Sequence, residues 1–75
     1  MEFVTIKVAL RPGFASREVS MPGATTILYA AKRAAEELGL DPDEREWCLV
    51  YGRTPLYQDD LIADHAEKPL WLFWK

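Results

Sequence analysis

The sequence predicts an α+β fold in which a single helix lies across one mixed β-sheet of four or five strands. Three observations predict it: two apolar-alternating segments between residues 3 and 21, one helix carrying its own start and stop signals between residues 24 and 42, and short β-rich runs after it that end in Leu70-Trp71-Leu72-Phe73-Trp74. Two strands, one helix, then more strands is an order that places the helix on one face of a sheet.

The first strand is read from Phe3 to Leu10, where Val4, Ile6, Val8 and Leu10 share one face and Thr5, Lys7 and Ala9 the other, the period of a half-buried strand. Arg11-Pro12-Gly13-Phe14-Ala15 supplies turn chemistry, because Pro fixes one backbone angle and Gly permits a positive one. Ser16 to Met21 reads as a weaker second strand at a sheet edge, with Val19 and Met21 inward. So short a turn makes the pair an antiparallel hairpin, which Pro22-Gly23 ends.

The helix begins at Thr25 or Thr26, whose hydroxyl can accept a hydrogen bond from an unpaired N–H of the first turn. Ile27, Ala30 or Ala31, Ala34 and Leu38 recur at spacings of three and four and form the apolar stripe, while Lys32, Arg33, Glu36 and Glu37 take the opposite side. A buried face this rich in alanine brings helix and sheet close together. Gly39 suits the left-handed position after the helix, Leu40 supplies the apolar fold-back contact, and Pro42 forbids continuation.

Trp47 to Tyr51 is a third, short strand stopped by Gly52, and Leu56-Tyr57 is expected to add a very short one before the polar Gln58-Asp59-Asp60. Leu61 to Ala66 is long enough for one helical turn. After Pro69 the last strand turns Leu70, Leu72 and Trp74 to one face and Trp71 and Phe73 to the other, so both faces are apolar. No internal repeat or low-complexity linker interrupts this order.

Seventy-five residues are expected to form one domain, residues 1–75. Apolar residues at 49% and charged residues at 28% describe a globular chain, not a disordered one. Its margin is thin, since ordering costs of ~1.5 kcal/mol per residue nearly cancel the gain from burial. Three Trp, three Tyr and three Phe help, each with a large apolar area. No apolar run approaches the ~20 residues that cross a bilayer, and the N-terminus lacks a signal-peptide pattern, so a soluble, cytoplasmic monomer with no membrane association is expected. The net charge is −3 and the acids gather in Glu36, Glu37, Asp41, Asp43, Glu44 and Glu46, the reverse of a phosphate-binding bias, so nucleic acid is not an expected partner. Cys48 is the only cysteine, which excludes an internal disulfide.

Catalytic chemistry finds few footholds. Cys48 and His65 formally offer a thiol and a base, yet Cys48 sits where a strand wants a small apolar residue and His65 lies in a polar connection, the pattern of an ordinary strand cysteine and a solvated histidine. One His with one Cys does not make the usual zinc ligand set. Asp41, Asp43 and Glu44 lack the glycine and terminal glutamate of a calcium loop, and Pro42 breaks its spacing. Asp59-Asp60 reads as turn solvation, and the glycines at 13, 23, 39 and 52 are isolated, not a phosphate cradle. A non-enzymatic protein without metal or cofactor is the expectation.

Met21-Pro22-Gly23-Ala24-Thr25-Thr26-Ile27 at the strand-to-helix corner, Asp41-Pro42-Asp43-Glu44 after the helix, Tyr51-Gly52-Arg53 after the third strand and Leu70-Trp71-Leu72 at the close resemble, in order and spacing, the ubiquitin-like β-grasp superfamily over essentially the whole chain. Within it, Gly39-Leu40-Asp41-Pro42-Asp43 followed by Trp47-Cys48-Leu49-Val50, and Glu67-Lys68-Pro69-Leu70, look most like Ras-association and Ras-binding domains. That resemblance implies a protein partner, a small GTPase in its sharper form, met by the edge of the second strand and by basic residues at Lys7, Arg17, Lys32 and Arg33. Glu18 within the strand and Glu36 and Glu37 on the helix depart from the family's basic pattern. The ending Trp74-Lys75 lacks a Gly-Gly tail, so a conjugated modifier is not expected. The ubiquitin-like resemblance also implies that Trp71 and Phe73 occupy the recognition face turned away from the helix. Against both surfaces stand plainer readings, in which the rings pack on Thr5, Lys7 or each other and the basic residues are solvated singly.

The run Ala-Ala-Lys-Arg-Ala-Ala-Glu-Glu-Leu-Gly-Leu-Asp-Pro-Asp-Glu is also rich in strong helix formers and obeys the capping rules closely, as designed helices do. The expected function is therefore a protein-interaction module using a sheet edge or an aromatic sheet face, with a designed, stable scaffold lacking an evolved partner as the alternative.

Overall fold

The computed structural model describes residues 2–11 and 15–74. Its elements are β1 (Phe3–Ala9), β2 (Ser16–Pro22), α1 (Ile27–Glu37), β3 (Trp47–Tyr51), β4 (Thr54–Pro55), a 3-10 turn (Ile62–His65) and β5 (Pro69–Trp74). The strands form one sheet in the order β2-β1-β5-β3-β4. β1 runs antiparallel to β2 and parallel to β5, and β3 is antiparallel to both β4 and β5. This mixed sheet with one helix is the expected ubiquitin-like β-grasp, with five strands of the four or five anticipated.

The alternation in β1 puts Ile6 and Val8 at 0% exposure while Thr5 and Lys7 stay open. In β2, which lies at the sheet edge, Val19 and Met21 are buried. The register Ala9↔Ser16 closes the hairpin; the Pro12, Gly13 and Phe14 of the expected turn lie outside the described residues.

On α1, Ile27, Ala30, Ala31, Ala34 and Ala35 are all buried, so the stripe is wider than the sequence reading and uses both Ala30 and Ala31. Four alanines with no measurable exposure let the helix axis approach a sheet face built from Ile6, Val8, Leu49, Leu70 and Leu72. Leu40 N–H donates to the Ala35 carbonyl at 2.8 Å and Gly39 N–H to the Glu36 carbonyl at 3.0 Å, the paired bonds of a Schellman ending, with Gly39 at φ +81°. The start of the helix departs from expectation. Thr26 is the N-cap residue, but its side chain makes no capping hydrogen bond. Instead Ile27 N–H donates to the Asp60 carbonyl at 2.9 Å and Leu28 N–H to the Gln58 carbonyl at 3.2 Å. A neighbouring backbone has taken the place of the hydroxyl.

One further expectation is corrected. The short fourth strand is Thr54–Pro55, not Leu56-Tyr57, because Gly52 at φ +64° turns the chain at once and Tyr51 pairs with Thr54. Leu56 N–H still donates to the Leu49 carbonyl at 2.9 Å while its side chain packs against the core, and Tyr57 is 80% exposed. The turn expected between Leu61 and Ala66 tightens into a 3-10 turn that buries Ile62 completely. In β5 the alternation is as read: Leu70 and Leu72 enter the core, and Trp74 half-covers its edge, with its ring centroid 5.8 Å from that of Trp47 in an edge-to-face pair.

Candidate functional site

The four basic positions do not form one surface. Opposed residues of an antiparallel pair share a face, so Lys7, opposite Glu18, lies on the sheet face turned away from α1. Arg17, opposite Val8, lies on the other. Arg17 reaches the C-terminal end of the helix, where Nη1 donates to the Glu37 carbonyl at 3.3 Å, a place that favours a cation. Arg33 meets Glu36 at 3.5 Å and Glu37 at 3.3 Å, and Lys32 meets Asp43 at 3.6 Å. Each of these exposed pairs contributes about 0–1 kcal/mol, and together they cancel the positive field a basic stripe would need. Glu36 and Glu37, two of the three departures noted from the Ras-association pattern, meet Arg33, and Asp43 meets Lys32.

Lys32 and Arg33 do border a groove of about 500 Å³ between the β2 edge and α1, together with Met21, Pro22, Phe3 and Tyr29. Phe3 is 67% and Tyr29 65% exposed, so two aromatic rings stand open beside an edge strand. The sequence reading missed both. Tyr29 signalled itself as an aromatic residue off the apolar stripe of the helix, and Phe3 as one at the outward phase of β1.

The aromatic pair divides into one structural ring and one open ring. Trp71 is register partner to Ala9 on one side and Val50 on the other, and its indole N–H donates to the Gly52 carbonyl at 3.0 Å. The ring is half-buried, and Ala9 and Val50 beside it are buried despite facing away from the helix. Phe73 packs edge-on against Trp71 at 5.7 Å and stacks with Trp74 at 6.2 Å, yet stays 45% exposed. The Arg45 guanidinium lies 5.0 Å above the Trp74 ring and closes the end of this aromatic row.

His65 is not the solvated residue the sequence suggests. Its side chain is 11% exposed, with Nε2 3.2 Å from Asp60 Oδ2 and Nδ1 2.9 Å from Lys68 Nζ. Cys48 lies half-buried on β3 opposite Phe73, its Sγ 3.9 Å from the Glu46 carbonyl oxygen. Thiol and imidazole thus have separate partners on separate elements. Among the described residues no three His, Cys, Asp or Glu side chains gather as a metal site, and no helix is long and apolar enough to cross a membrane.

No protein-family model and no curated protein matches the sequence, so the narrower Ras-association resemblance has no counterpart in these comparisons. Solved structures do match. A de novo designed protein based on ubiquitin superposes with a TM-score of 0.66 at 16% identity, over 97% of this chain and 89% of that one. A computationally designed protein based on the template of human erythrocytic ubiquitin, solved by NMR in solution, superposes with a TM-score of 0.65 at 23% identity, over 96% of this chain and 91% of that one. At these identities the likeness is one of fold, and the fold is ubiquitin's.

Proposed function

We propose that this chain is a redesigned ubiquitin-like scaffold, its residues selected to stabilise the β-grasp backbone and not to meet an evolved partner. The observation that carries this reading is the match, along nearly the whole chain, to two designed ubiquitin-based proteins while no family model matches. Local chemistry supports it. Among the described residues, positive φ angles occur only at glycines, and no buried side-chain nitrogen or oxygen lacks a hydrogen-bond partner. Such a protein is non-enzymatic. The expected result is thermal unfolding above about 90 °C, the range of hyperstable domains, with no saturable binding to small GTPases or to ubiquitin-recognising domains. A saturable, salt-sensitive interaction abolished by Arg17→Glu overturns the reading.

A second reading is favoured by one observation, the exposed Phe3 and Tyr29 rings flanking the open β2 edge. In it the chain is an interaction module that adds a partner's extended segment to β2, with Lys32 and Arg33 at the rim of the groove, or that docks a partner on Phe73. Loss of binding on Tyr29→Ala or Phe73→Ala assigns the surface.

A further inference from the structure

The segment from Gln58 to His65 does more than join β4 to β5. It lies along the approach to α1 as a strap: Ile27 and Leu28 donate to the carbonyls of Asp60 and Gln58, Ile62 N–H donates to the Thr25 carbonyl at 2.8 Å, and Ala63 N–H to the Gly23 carbonyl at 3.1 Å. Leu61 and Thr26 form an isolated antiparallel bridge at the centre. A helix start leaves its first N–H groups unpaired unless something outside the helix accepts them. With the Thr26 hydroxyl unused, the strap's carbonyls are those acceptors.

The strap is closed by a side-chain relay. An ammonium has donors and no acceptor, so the 2.9 Å approach of Lys68 Nζ requires His65 Nδ1 to accept. The ring proton then sits on Nε2 and is donated to the Asp60 carboxylate, 3.2 Å away. Lys68 is held above by the Tyr51 ring, 5.4 Å from its Nζ. The relay ends on Asp60, the residue whose main-chain oxygen receives Ile27. The geometry points to a histidine latch: the neutral Nε2–H imidazole of His65, oriented by Lys68, holds Asp60 and with it the strap over the first turn of α1. Releasing the ring loosens that turn without opening the sheet, since the strap keeps its holds that do not involve His65, the buried Ile62 side chain and the Ile62 and Ala63 N–H bonds to the Thr25 and Gly23 carbonyls.

NMR of the folded chain tests this. In the wild type the ring nitrogens should report the Nε2–H tautomer. His65→Ala should speed amide exchange at Ile27 and Leu28 about tenfold or more, the factor expected when a hydrogen bond to a charged group is lost, with Val8 and Leu72 unchanged. Lys68→Met leaves the ring in place and should move the Nδ1 resonance toward that of a ring nitrogen without a donor, with faster exchange at Ile27 and Leu28. An Nδ1–H tautomer in the wild type overturns the latch, as does unaltered Ile27 and Leu28 exchange in His65→Ala. If His65→Ala exchanges at every amide, Lys68→Met decides: a shifted Nδ1 resonance supports the latch, and an unshifted one overturns it.

Discussion

Trp71 shields Val50, its register partner on the neighbouring strand, so that Val50 is only 3% exposed on the sheet face turned away from the helix. The indole is anchored at the far side by its hydrogen bond to the Gly52 carbonyl. A small apolar layer therefore backs the main core, with Ala9 on its other flank.

Trp71→Ala removes that cover and is expected to cost about 3 kcal/mol, near the lower end for truncating a large packed aromatic residue because the ring is half-buried. Phe73→Ala, which strips a ring already 45% exposed, should cost about 1 kcal/mol. Urea unfolding of both variants checks the order; equal losses would mean that Trp71 is an ornament of the surface.

Ala34 has no exposure and belongs to the core cluster between helix and sheet. Ala34→Leu should overpack the contact at roughly 1–3 kcal/mol, seen as a lower denaturation midpoint with little change in slope.

Gly39 holds φ +81° in open space, where an added methyl group would meet no other atom within 4 Å. Gly39→Ala should therefore cost only the left-handed backbone penalty, about 1 kcal/mol, and Gly39→Asn less than Gly39→Ala. Calorimetric melting of the two variants separates backbone preference from packing.

Thr26→Ala tests where the helix cap comes from. An ordinary capping threonine is worth about 1 kcal/mol, but this hydroxyl makes no capping bond, so the change should lie within about 0.5 kcal/mol of wild type. A full capping loss in chemical denaturation would show that the hydroxyl, and not the Asp60 and Gln58 carbonyls, serves the first turn.

Arg17→Glu sets a carboxylate beside the Glu37 carbonyl at the negative end of α1 and is expected to cost about 0.5–1 kcal/mol, most at low ionic strength. Stability measured against salt should show the gap closing as salt rises.

What the sequence by itself determined is local. The helix from Ile27 to Glu37, its ending at Gly39 and Leu40, the inward phase of Val4, Ile6 and Val8, and the alternation of β5 follow from side-chain period and backbone preference within a few residues, and those forces are present before the chain meets itself. The candidate surfaces were only partly legible, since the faces of Lys7, Lys32 and Arg33 follow from period but the acids that meet Lys32 and Arg33 and the carbonyl that receives Arg17 do not. The tertiary structure alone decided that Arg17 and Arg33 meet at Glu37, that Trp71 bridges Ala9 and Val50, that Asp60 and Gln58 supply the helix cap and that His65 is packed between Asp60 and Lys68. Most of these depend on strand register and on the parallel pairing of β1 with β5, in which segments far apart in the chain become neighbours, and no period within either segment encodes its distant partner.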